Sequence, residues 1–139
     1  MLPIKLCIRI NSKTKIEKGD YFLKLEDFYK QVGGDYDSVS SRLLGDNMIK
    51  KFVLKFPLDP SYNDLKNAIS NNNIQAAFSA AHTLKGTAAN LGFDHLAICA
   101  SILTEELRNA DKMPNNDIIK AVDSAYEITI TNIKLLNTI

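Results

Sequence analysis

Between Ile74 and Gly92 seven apolar residues, Ile74, Ala77, Phe78, Ala81, Leu84, Ala88 and Leu91, recur at helical spacing. Steps of three and four gather these side chains on one side of an α-helix, whereas a strand, with its period of two, scatters them over both faces. A helix of this length with one apolar stripe must bury it against neighbours, so the stretch predicts helix-on-helix packing. The same spacing recurs along most of the chain. "DYFLKLEDFYKQV" ends at Gly33-Gly34, and "DYDSVSSRLL" has Asp35 or Asp37 as N-cap and Gly45 as stop. "DNMIKKFVLKF" runs from Asp46 to Pro57, and "PSYNDLKNAIS" opens on Pro60 as a first-turn residue. Gly92 is the expected C-cap of the long stretch, and Asp94 opens the next segment. The last segment, after Pro114, sets two signals against each other. Ile128, Thr129, Ile130 and Thr131 favour a strand by propensity, but Ile118, Val122, Ala125, Ile128 and Leu135 keep the helical period. We follow the period.

Short connections make successive long helices antiparallel. The expected fold is all-α, an up-and-down four-helix bundle with additional short N-terminal helices, over residues 20–139. Residues 1–19 stand apart: "IKLCIRI" alternates with a strand-like period, and Lys5, Arg9, Lys13, Lys15 and Lys18 face one acid, Glu17. We expect a basic tail that is flexible or laid along the domain.

Composition removes several classes of function. A formal net charge of +1 makes no electrostatic case for nucleic acid or anionic lipid. Tryptophan is absent and the other aromatics are scattered, so no base-stacking platform is expected. No apolar run approaches the roughly 20 residues needed to span a bilayer. Lys5 and Arg9 break up any signal-peptide core. Cys7 and Cys99 have no CxxC spacing, which suits a reducing, cytoplasmic setting. His95 and Cys99 lie at i and i+4 but offer only two ligands, so no metal site is expected and Cys99 is read as a core residue.

The long helix carries a second stripe. Gln75, Ser79, His82, Gly86 and Ala89 run along a face that is small or polar everywhere except at the histidine, with Lys85 on its border. Glycine inside a helix costs about 1 kcal/mol relative to alanine. At Gly86, one turn beyond His82, it removes the side chain that would crowd the ring; close packing of a neighbouring helix is the competing explanation. A neutral imidazole nitrogen is a nucleophile, and no serine, cysteine or acid in this stretch completes a hydrolytic triad. Lys85 offers a positive charge to an added phosphoryl group, and phosphoryl transfer needs chiefly in-line positioning and charge stabilisation.

"AHTLKGTAANLG" resembles the signature of histidine-containing phosphotransfer (HPt) domains: a histidine, then x-Leu-Lys-Gly, then a Leu-Gly pair. The resemblance covers roughly residues 20–139. It implies that His82 is phosphorylated, that Lys85 neutralises charge at the phosphoryl group and that Gly86 gives a partner clearance. Gln75, Ser79 and Ala89 are the expected partner-binding positions. It implies response-regulator receiver domains and a hybrid sensor histidine kinase as partners, a monomeric carrier, and no cofactor of its own, Mg2+ being expected on the receiver. Without a P-loop or other glycine-rich nucleotide site the chain is read as a phosphocarrier and not as an enzyme. Two alternatives stay open: the phosphorylated segment of a larger histidine kinase, and a helical interaction module that is never phosphorylated.

Overall fold

A computed structural model of the chain describes residues 23–136. Helices α1 (Leu25–Gln31), α2 (Tyr36–Leu43) and α3 (Asp46–Lys55) lead through a 3-10 turn at Phe56–Leu58 into α4 (Ser61–Ser70), α5 (Ile74–Leu91), α6 (Asp94–Leu107) and α7 (Asn116–Leu136). No strand occurs among the described residues. The expected basic tail at residues 1–19 and the boundary at residue 20 lie outside them.

Helices α4 to α7 form the up-and-down bundle, each packed on the next, with α1 laid on α7 and α3 touching both α5 and α7. The bundle closes where α4 meets α7. Tyr62 and Tyr126 stack with ring centroids 3.7 Å apart. Asp123 accepts a hydrogen bond from the Tyr62 hydroxyl at 2.7 Å and pairs with Lys66 Nζ at 2.8 Å.

Local sequence explains most helix ends. The Asp35 side chain accepts from the N–H groups of Asp37 and Ser38, so Asp35, not Asp37, caps α2. Asn73 caps α5 by accepting from Ala76 N–H at 3.1 Å. Gly92 ends α5 in the left-handed region, at φ 78°, as expected. Three boundaries differ from the sequence reading. Leu44, not Gly45, takes the left-handed C-cap of α2, at φ 59°. Helix α3 stops at Lys55, because Pro57 forces the chain into the 3-10 turn. Pro60 lies just before α4, where the Asp59 carboxylate accepts from Ser61 N–H at 2.8 Å. The segment Ile128–Thr131 is helical throughout. Thr129 reconciles its propensity with the helix by donating its hydroxyl to the Ala125 carbonyl at 2.8 Å.

Phe93, in the turn between α5 and α6, anchors the core. Its fully buried ring meets Phe28 of α1 edge-on at 5.6 Å and Phe56 of the 3-10 turn edge-on at 5.1 Å. Tyr29 donates its hydroxyl to the Leu91 carbonyl at 2.7 Å, satisfying an orphan acceptor at the end of α5. The α1–α2 turn presses on the same place. A Cβ added at Gly34 would fall 2.1 Å from the Gly92 carbonyl oxygen, and one added at Gly92 would fall 2.3 Å from Val39 Cγ2. Replacing Gly92 by alanine combines a left-handed backbone penalty with overpacking. We expect Gly92→Ala to destabilise the fold by about 2–4 kcal/mol in urea unfolding.

His95 seats this corner from α6. Its N–H donates to the Val32 carbonyl at 3.2 Å, its ring covers Gly33, and its Nδ1 is buried without a partner. Burial holds the imidazole below its ordinary pKa, with the neighbouring Asp94 charge opposing. The unfolded chain therefore binds a proton that the folded chain resists, so this contribution is complete above about pH 6.5 and is lost as pH falls below it. Urea midpoints should decline as pH falls below about 6.5. His95→Gln should flatten that decline; an equal slope in the variant would assign the effect elsewhere.

Candidate functional site

Helix α5 is buried along its apolar side, where Ala77, Ala81, Leu84 and Ala88 have no exposed surface. The second stripe lies in solvent: Gln75, Ser79, His82, Gly86 and Ala89 are all exposed, and Lys85 is half-buried at the border, as the spacing implies. A Cβ built on Gly86 meets nothing within 4 Å among the described residues. The glycine is therefore not there to admit a neighbouring helix, and the competing explanation for it falls away. The helix is simply bare beside the ring.

Phe78 packs against the core, as the sequence reading has it, but only in part. It is half-buried, and its ring lies nearly parallel to that of His82, 12° between planes and 6.1 Å between centroids. One turn before the histidine, on the side facing α6, it flanks the imidazole. Arg108 then covers Phe78, its guanidinium carbon 5.0 Å from the ring centroid. A two-pronged hydrogen bond to Glu105 fixes Arg108, with Nη2 to Oε1 at 3.1 Å and Nε to Oε2 at 3.2 Å. These bonds are the first cause holding the Glu105 carboxyl below its ordinary pKa, and Lys85 and His82 pull in the same direction.

The run "TEELRNADK" reads in sequence as a solvated helix face. The structure divides it. Thr104 and Leu107 are buried, with the Thr104 hydroxyl donating to the Ala100 carbonyl at 2.7 Å. Glu105 and Arg108 are exposed and line the histidine side. No motif marks this pair; only its i, i+3 spacing on α6 hinted at an ion pair.

His82 stands between two shallow clefts. Gln75, Phe78, Leu107 and Arg108 line the one toward α6. Ser79, Thr83, Asp59 and Asp64 line the one toward α4. Gln75 and Ser79 therefore border different clefts, while Ala89 prolongs the bare face beyond Gly86. The result is an accessible nucleophilic ring, cations at Lys85 and Arg108 on its α6 side, and unobstructed backbone at Gly86. Such a site suits transient transfer of an anionic group. Cys99 is buried, as expected of a core residue, and no cluster of three or more His, Cys, Asp or Glu side chains able to hold a metal occurs among the described residues. No helix among them is long and apolar enough to cross a membrane.

Gly86→Ala should stabilise the fold by about 1 kcal/mol, because the added methyl group meets nothing and the helix gains propensity. Urea unfolding checks this; a destabilised variant would mean that the glycine serves packing after all.

The Hpt domain family model matches residues 59–132, more than half of the chain and almost all of the span of α4 to α7. The match is narrower than the resemblance drawn over residues 20–139, and it leaves α1 to α3 outside. No curated protein and no solved structure matches the chain.

Proposed function

The chain belongs to the Hpt domain family, and from that premise we propose that it is a phosphorelay carrier whose acceptor is His82. In this reading a receiver domain docks over the bare face of α5 and brings its aspartyl phosphate in line with a ring nitrogen of His82. The nitrogen lone pair forms the N–P bond as the acyl-phosphate O–P bond breaks, leaving that electron pair on the aspartate. The second ring nitrogen keeps its proton. A second receiver reverses the step with its own aspartate. The receiver supplies the acidic pocket and the Mg2+, and a hybrid sensor histidine kinase is the upstream source of the phosphoryl group. We assign the carrier no kinase activity of its own and a cytoplasmic setting.

The observation that carries this reading is the combination at α5 of an exposed imidazole and a glycine whose missing side chain would meet nothing among the described residues. Lys85 is assigned to neutralise charge on the incoming group. Gln75, Ser79 and Ala89 are assigned to the docking surface, since a flat, small-residue face lets a partner backbone approach the ring.

The test is transfer from a phosphorylated receiver. Wild type should take up label that is lost in acid and kept in alkali, as phosphohistidine is. His82→Gln should take up none while its circular dichroism stays helical; label retained on that variant would refute the assignment. Gly86→Leu should slow transfer by at least about tenfold, a barrier increase of about 1.4 kcal/mol, with the fold intact. An unchanged rate would remove the clearance role.

A further inference from the structure

Arg108 has two claims on it. Its guanidinium lies over Phe78, the ring that flanks His82, while two of its five N–H donors, on Nε and Nη2, are committed to Glu105. We propose that Glu105 weakens the hold on a phosphoryl group at His82, by keeping Arg108 occupied and by setting a like charge beside the site. The inference rests on His82 being the phosphoryl acceptor.

The geometry supports each part. Arginine binds carboxylate and phosphate through the same planar fork, so the oxygens of a phosphoryl group and those of Glu105 compete for the same donors. Phe78 links the two groups, with the Arg108 guanidinium carbon 5.0 Å from its centroid and the His82 ring centroid 6.1 Å from it. Glu105 and Arg108 side chains remain 58% and 48% exposed, so the pair contributes little to folding and can exchange partners cheaply. Glu105 is bonded to the arginine that covers the ring flanking His82, which sets its negative charge on the α6 side of the site, where it opposes a phosphoryl dianion.

The consequence is chemical. A carrier between two aspartyl phosphates must release the group as readily as it accepts it. Lys85 and a freed Arg108 together would favour retention. Glu105 offsets them, so that phosphorylated His82 stays close in free energy to its donor and acceptor. No bond is made or broken beyond the N–P and O–P exchange described above; Glu105 and Arg108 act on the equilibrium by charge and hydrogen bonding alone. Glu105, which acts through Arg108 and by its charge, is a positioning residue in this account.

The experiment is an equilibrium one. Carrier and phosphorylated receiver are mixed, and the ratio of phosphorylated carrier to phosphorylated receiver is read when it stops changing. Glu105→Gln should raise the ratio roughly two- to fivefold, the size expected of one exposed ion-pair interaction. Arg108→Ala should lower it, and in that background Glu105→Gln should have a smaller effect. Glu106→Gln, an equal charge change at the adjacent exposed position, should leave the ratio unchanged. Urea midpoints of all four variants serve to confirm that they are folded. A ratio unmoved or lowered by Glu105→Gln, or moved equally by Glu106→Gln, overturns this inference while the carrier reading stands. Absence of any label on wild type overturns that reading, and this inference with it.

Discussion

Small side chains on α5 let both its neighbours approach. Ala77, Ala80, Ala81 and Ala88 are buried, and α4 and α6 close on the helix from either side. With larger residues there the neighbours would stand further off, and the clefts beside His82 would have different walls. Because two sides of α5 are taken up by packing, what remains is one narrow exposed strip. Every feature of the site follows from that strip, since it decides which residues of one helix meet solvent and which side chains of α6 border them. The corner at Gly92 and Phe93 fixes the angle at which α6 leaves α5, and so where Arg108 comes to lie.

The site is held by cheap interactions on an expensive scaffold. Burial of Phe28, Phe93, Leu84 and Leu96 supplies stability of about 1.5–3 kcal/mol per side chain before entropy is counted. The Glu105–Arg108 pair and the stacking of Phe78 on His82 are exposed or half-exposed and contribute far less. This division suits a docking surface. Its charges can rearrange around a partner or an added phosphoryl group without drawing on the energy that keeps the bundle folded.

Much of this was legible in the sequence because helical period and helix ends are local properties. The stripe of Gln75, Ser79, His82, Gly86 and Ala89 follows from spacing alone, and the Gly92 cap from residue type. Leu44 was not legible, since a left-handed leucine is accepted only where the tight turn into α3 requires it. The period puts Phe78 on the core side, where it does pack, but period alone cannot give the depth of burial, which depends on the neighbouring helix. Helix α6 stops at Leu107, and the half-buried ring of Phe78 lies under Arg108, the next residue. The contribution of Glu105 and Arg108 is a tertiary fact, carried by how α6 packs on α5 and by no motif.

The central claim is that one imidazole, at position 82, carries the phosphoryl group. Phosphorus–proton correlation NMR of the protein phosphorylated by a receiver tests it most directly. The account predicts a single phosphorus resonance that correlates with the ring protons of His82, with the ring protons of His95 unmoved. A resonance correlated with His95, or one without any ring-proton correlation, would contradict it.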